Sequence, residues 1–391
     1  MRGKTRACLA LALSAMLVLS GCAAMLEQTY VRVERSEDQL SVGEGSSAAE
    51  VSSRAELTTA VLNLVRQGVE QGTVRLMDYR GDVESDLAGA CLEVAQEDPL
   101  GAYAVESIKY DYVRVISHYE ANIYITYRRT QEQVAAIAKV TGSSAIRTEL
   151  RAALAEFRGE VVLQISYFNE DEEYIRELAR QAYYETPVAA LGEPGIAVTL
   201  YPDQATGYRR IVEIRLAYSR PADELRRLSV ELATAAETLT GALTAYSEGD
   251  ESLRAAYNAL RGTATYIPAL SENQGEAANT AWHALVAGEA DSEGMALAFA
   301  LLCQRQGREC MVVRGTLDGL PHFWNIIRLE NGEYRHVDAS RADGFALSDA
   351  QLLSQGYAWD REDSNIPLCG EQPAVQTEEQ TETDVFVENK N

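Results

Sequence analysis

The sequence predicts an α+β protein, and three observations carry that reading. Helical-period runs and short alternating strands are interleaved along most of the chain. The order helix, strand, helix, strand, strand occurs twice between residues 54 and 220, so an α/β module is duplicated. Beyond it, a helix entered at Asp291-Ser292-Glu293-Gly294 leads into a run of strands, the pattern of helices packed on one face of a sheet. At 391 residues, 46% hydrophobic and 24% charged, the chain has room for two or three folded domains.

In order, the chain opens on Arg2, Lys4 and Arg6 and the apolar run Ala7 to Leu19, too short to span a bilayer and so a secretory signal. Leu19-Ser20-Gly21-Cys22 resembles the bacterial lipobox. The resemblance implies a signal peptide over 1–21, a lipid on the Cys22 sulfur, and a protein anchored in the cell membrane and facing the extracellular side. The net charge of −24, lower still once three basic residues leave with the signal, argues against nucleic acid and against electrostatic docking on anionic lipid. Membrane contact is then expected through the lipid on Cys22.

Residues 22–53 are polar, with Gly43-Glu44-Gly45-Ser46-Ser47, and read as a linker; Tyr30-Val31-Arg32-Val33 suits a short edge strand. The duplicated module follows, as units over about 54–130 and 146–220. The first is predicted as a helix near 56–71, a strand near 74–79, a helix near 83–95 and strands near 104–112 and 122–127. The second repeats this near 146–157, 160–167, 172–184, 196–201 and 211–218. Leu76-Met77-Asp78-Tyr79 matches Gln164-Ile165-Ser166-Tyr167, and Val212, Ile214 and Leu216 alternate with Glu213 and Arg215, as in a sheet with one buried face. The strand tyrosines suit β-propensity; a glycan- or peptide-stacking face is the alternative. His118 is a lone histidine with no ligand role.

From Pro221 the period is helical again, through Leu225, Leu228, Leu232 and Ala235, and a second helix is predicted from Glu251 to about Leu260. The helix from Asp291 carries Ala296, Phe299 and Ala300 at helical spacing. Gly307 is its stop signal, a strand covers 309–315, and two more bear His322 and Asp338.

Ser292-Glu293-Gly294-Met295-Ala296-Leu297-Ala298-Phe299, His322-Phe323-Trp324-Asn325 and His336-Val337-Asp338-Ala339 together resemble the transglutaminase-like domain, a relative of the papain-type cysteine peptidases. That family places a Cys at a helix start, a His on a following strand and an Asp on the next. The resemblance covers 221–370 and is sharpest from Asn279 to Asp360, taking in Asn279–Leu285 and Gly356–Asp360. It implies a degenerate triad of Ser292, His322 and Asp338, with Ser where the family has Cys. Trp324 and Asn325 would support or shield the His–Asp pair, and His283 and His336 would be structural.

The exchange has a physical consequence. A helix N-terminus and a neighbouring imidazolium pull a thiol pKa from about 8.5 to as low as about 3.5. A serine hydroxyl stays protonated there and attacks only if a base removes its proton in the reaction. Ser292 also suits a plain helix N-cap. The expectation is therefore a cell-surface lipoprotein with an inactive, pseudoenzyme domain that binds peptide, cell wall or a surface protein. The alternative is an active acyltransferase or peptidase using Ser292, His322 and Asp338. A solute-binding lipoprotein is a third class, but the duplicated units are small for its two lobes.

Cys8 leaves with the signal, and Cys91, Cys303, Cys310 and Cys369 remain. With no CxxC pair and no His at ligand spacing, no metal site is expected, and no cofactor; a Cys310–Cys369 disulfide suits an exported chain. Neither Cys303 nor Cys310 is placed to reach His322. No EF-hand-like loop supports a calcium requirement. Residues 371–391, rich in Glu, Thr and Gln, read as a disordered acidic tail.

Overall fold

The structure, a computed structural model, describes residues 48–204, 207–244, 248–268 and 277–370. The expected signal, Cys22, the strand at 30–33 and the acidic tail lie outside the described residues.

The first unit starts earlier than its hydrophobic period suggests. Strand β1 (Ala49–Val51) precedes α1 (Arg54–Gln67), β2 (Gln71–Met77), α2 (Val83–Gln96), α3 (Pro99–Ala104), β3 (Val105–Val115) and β4 (His118–Tyr127). The caps explain the boundaries. Ser53 accepts the Glu56 N–H at the start of α1, and Gly68 ends that helix at φ 66°. Asp82 and Asp98 cap α2 and α3 in the same way.

After the short α4 (Gln131–Ala135), the second unit repeats the first as β5 (Ala138–Val140), α5 (Gly142–Ala155), β6 (Glu160–Ile165), α6 (Glu172–Tyr184), β7 (Gly195–Tyr201) and β8 (Arg210–Ala217). The sheets run β1-β2-β4-β3 and β5-β6-β8-β7. In each, a short parallel edge strand is followed by antiparallel neighbours, with Ala49 opposite Val74 in one and Ala138 opposite Leu163 in the other. The duplication is thus one of topology and register.

The C-terminal part contains α7 (Ala222–Thr244), α8 (Asp250–Thr263), β9 (Thr265–Tyr266), a π-helical turn (His283–Ala287), β10 (Glu289–Ala290) and α9 (Ser292–Arg305). The sheet elements follow: β11 (Cys310–Leu317), β12 (Leu320–Arg328), β13 (Tyr334–Val337), β14 (Phe345–Leu347), α10 (Asp349–Ser354) and β15 (Tyr357–Ala358). The five strands are ordered β14-β13-β12-β11-β15, all antiparallel. Every side chain from Met295 to Cys303 on α9 is buried, so this helix runs through the core rather than along it.

The first unit has its own core, around Leu57, Leu76, Leu87 and Ile123. The second does not. Its Leu150, Leu163 and Ile175 belong to one continuous cluster with Leu232, Leu260 and Phe299 of the C-terminal part.

Candidate functional site

Helix α9 presents Ser292 at its first turn. Its N-cap is Asp291, whose carboxylate accepts the Gly294 N–H at 3.0 Å, so the capping role expected of Ser292 falls one residue earlier. Burial pushes the Asp291 carboxyl up, against hydrogen bonds from the Gly294 and Glu293 N–H groups. Gly294 is required by close approach: a Cβ there would meet the Ala278 oxygen at 2.7 Å and the Thr280 oxygen at 2.9 Å. Backbone 278–280 is thereby pressed against the helix start.

Strand β12 carries His322, and its pairing with β13 brings up Asp338 at the end of that strand. His322 Nε2 lies 2.7 Å from Asp338 Oδ2, and the two residues are only 4% and 1% exposed. Asp338 collects further donors: the Tyr357 hydroxyl at 2.5 Å, and the Ser340 N–H and hydroxyl at 2.9 and 2.6 Å. Burial alone would raise this carboxyl, but the bonds from His322, Ser340 and Tyr357 prevail and hold it below the ordinary range. The turn after Asp338 is fixed from α8, where Tyr257 donates to the Arg341 carbonyl and Arg261 to the Ala339 carbonyl at 2.9 Å.

Ser292 Oγ accepts the Phe323 N–H at 3.3 Å, one residue from His322. Among the described residues no hydrogen bond joins Ser292 Oγ to His322. With Nε2 donating to Asp338, Nδ1 is the nitrogen left with a free lone pair. Trp324 lies over the imidazole at 6.4 Å and 25°, and Tyr357 meets it edge-on at 5.7 Å. Asn325 ties the strand to the helix by donating to the Ala296 carbonyl at 3.0 Å.

A second cluster was missed in the sequence. His336, on β13, bonds through Nε2 to Asp349 Oδ1 at 2.8 Å, and the Cys369 N–H donates to the same oxygen at 3.2 Å. One ligand-type atom each from His336, Asp349 and Cys369 lies within 4.8 Å of the others. These residues are 13 and 20 positions apart, so ligand spacing gave no warning, and the expectation that no such donor set exists is corrected. The expected Cys310–Cys369 disulfide is also absent: Cys91, Cys303, Cys310 and Cys369 are all free thiols.

Metal binding does not fit this set as it stands. The Trp324 indole N–H, which can only donate, bonds His336 Nδ1 at 3.0 Å, so the imidazole proton sits on Nε2, where a metal would have to bind. Burial also pushes the Cys369 thiol up to about 12.

Residues 233–339 match the model of the Transglutaminase-like superfamily. No curated protein matches the chain. Among solved structures, a TGase is 12% identical over 60% of this chain and 66% of its own, with a TM-score of 0.26. A candidate cysteine protease from Cytophaga hutchinsonii is 12% identical over 42% and 65%, at 0.25. A candidate protease from Parabacteroides distasonis is 9% identical over 71% and 64%, at 0.23. The chain spans just under two thirds of the length of these structures, and at such scores they carry no weight below.

The C-terminal part of the chain, over residues 233–339, therefore has a transglutaminase-like fold, preceded by two topologically similar α/β sheets. The expectation of an inactive binding module is corrected. The chain also holds a thiol, an imidazole and a carboxylate together in His336, Asp349 and Cys369, the makings of a triad, of which His336 alone falls within the matched residues. Serine at position 292 therefore does not leave it without a nucleophile–histidine–carboxylate set.

Proposed function

We propose that the protein is an acyl-transfer enzyme, a peptidase or acyltransferase, in which Ser292 takes the place that Cys holds in the family. The observation that carries this reading is the buried His322–Asp338 pair at 2.7 Å, beside the first turn of α9. Ser292 Oγ attacks a peptide or glutamine-type carbonyl while His322 Nδ1 takes its proton. The C–N bond then breaks, His322 returns the proton to the leaving amine or ammonia, and an acyl-serine ester remains. Water or a second amine opens that ester by the same steps in reverse. Asp338 holds the tautomer, and Trp324 covers the imidazole. A second reading, with Cys369 as nucleophile, is favoured by its place beside His336 and Asp349. It requires the thiol to shed its proton and His336 Nδ1 or Nε2 to be released from its present partner.

The test measures amine incorporation into a glutamine-bearing peptide and peptide hydrolysis by the full-length protein. Ser292→Ala is expected to lower the rate by about three orders of magnitude or more, and Cys369→Ala to leave it within about twofold. The opposite pair of results would move the reaction to Cys369. We also read the chain as a lipoprotein tethered outside the cell through Cys22; metabolic labelling with a fatty-acid analogue that persists in Cys22→Ala would refute it.

A further inference from the structure

The second module is more than a spacer ahead of the site. Its helix α6 ends at Tyr184, whose hydroxyl donates to Glu293 Oε1 at 3.0 Å; Glu293 is the residue after Ser292. The other carboxylate oxygen, Oε2, accepts from Asn279 Nδ2 at 3.2 Å. The Tyr184 ring also packs against Phe323 at 5.9 Å, and Phe323 supplies the N–H that Ser292 Oγ accepts. One side chain from the second module therefore touches both neighbours of the candidate reaction centre, on the helix and on the strand.

We propose that Tyr184, Glu293 and Asn279 form a positioning tie that holds the first turn of α9, and with it Ser292, in register with His322. The inference rests on the Ser292 reading above. Both carboxylate oxygens of Glu293 act as acceptors, which suits the ionised form, whereas a protonated carboxyl must give up one acceptor position. Burial pushes this group up to about 7, opposed by the bonds from Tyr184 and Asn279. The groups facing it are Tyr183 and Tyr184 from α6, Glu193 from the loop after α6, Asn279, and Asp291 on its own turn. The two carboxylates among them add to the upward push. Near neutral pH the tie is thus half made, and it completes as the pH rises.

The test compares wild type, Tyr184→Phe, Glu293→Gln and Ser292→Ala in the full-length protein. Tyr184→Phe keeps the ring and is expected to lower kcat about tenfold with KM nearly unchanged, the loss of one hydrogen bond to a charged acceptor. Glu293→Gln should flatten the rise in rate between about pH 6 and pH 8, which a packing defect would not do. Wild-type kcat and pH profiles in both variants, with Ser292→Ala inactive, would overturn the tie and leave the enzyme reading standing. Should Ser292→Ala keep full activity, the enzyme reading falls instead, and the tie is judged on melting alone. A buried carboxyl raised in this way makes the fold lose stability as pH rises from about 4.5 to about 7, and Glu293→Gln should remove that loss. Tyr184→Phe removes a bond to the ionised form and should deepen that loss; a pH dependence of melting no different from wild type would then sink the tie as well.

Discussion

Two histidine–carboxylate pairs with buried imidazoles lie beside Trp324, and they differ in what meets the second ring nitrogen. His322 and His336 bond through Nε2 to Asp338 and Asp349 at 2.7 and 2.8 Å. Trp324 presents its ring face to His322 and its N–H to His336 Nδ1. The first imidazole therefore keeps a basic nitrogen with no donor on it among the described residues, while the second is spoken for at both ends. A pair becomes useful for proton transfer by what is left unbonded. Asp349, which also takes the Cys369 N–H, anchors the last described segment to the sheet.

The strongest way to break this comparison is to neutralise each carboxylate in turn. Asp338→Asn should lower the rate about 10³- to 10⁴-fold, because the amide no longer holds the tautomer that leaves Nδ1 free. Asp349→Asn should leave the rate within a few fold but destabilise the fold by about 1–2 kcal/mol, as expected when a half-buried carboxylate that accepts from His336 and the Cys369 N–H is lost. Equal losses of rate in steady-state assays would show that the two pairs act together.

A finer probe is Trp324→Phe, which keeps an aromatic ring over His322 and removes the donor to His336. Denaturant unfolding should show a loss of about 1–3 kcal/mol, with a modest change in turnover. Alkylation of Cys369 followed by peptide mass should quicken, since a freed Nδ1 can accept the thiol proton. No change in labelling would mean that Trp324 does not hold the second pair inert.

The smallest expected effect is in the titration of His336. Burial holds its pKa below the ordinary imidazole range, against the bond to Asp349. Its folded pKa is thus depressed, so the unfolded chain binds the proton more readily. Stability from this group is full above about pH 6.5 and is lost as the pH falls below that value. An NMR titration of its ring protons should show a midpoint below that of a free imidazole; a midpoint at or above it would refute the burial argument.

Much of this architecture was legible because period and punctuation agree. Helix α6 lies where Glu172–Tyr184 predicts it, and the alternation Val212, Ile214, Leu216 marks β8. Ser292, His322 and Asp338 stood out through their neighbours, which carry a family resemblance. The three-residue strands β1 and β5 were not legible, since so short a run has no period to read. Nor was the cap of α9: Asp291 and Ser292 are both good acceptors, and only backbone geometry chooses between them. The His336 cluster and the Tyr184–Glu293 bond, the latter across 109 residues, join positions that only the folded chain makes neighbours.

The continuous core bears on how the chain can be cut and rearranged. A fragment beginning at Pro221 would cut this cluster, parting Leu232, Leu260 and Phe299 from Leu150, Leu163 and Ile175, and would forfeit Tyr184 as well. The first unit brings its own interior. Of two look-alike copies, one keeps an interior of its own and meets the other through the small cluster of Tyr103, Ala104, Val162 and Ile211, while the second shares its interior with the half of the chain that bears the site.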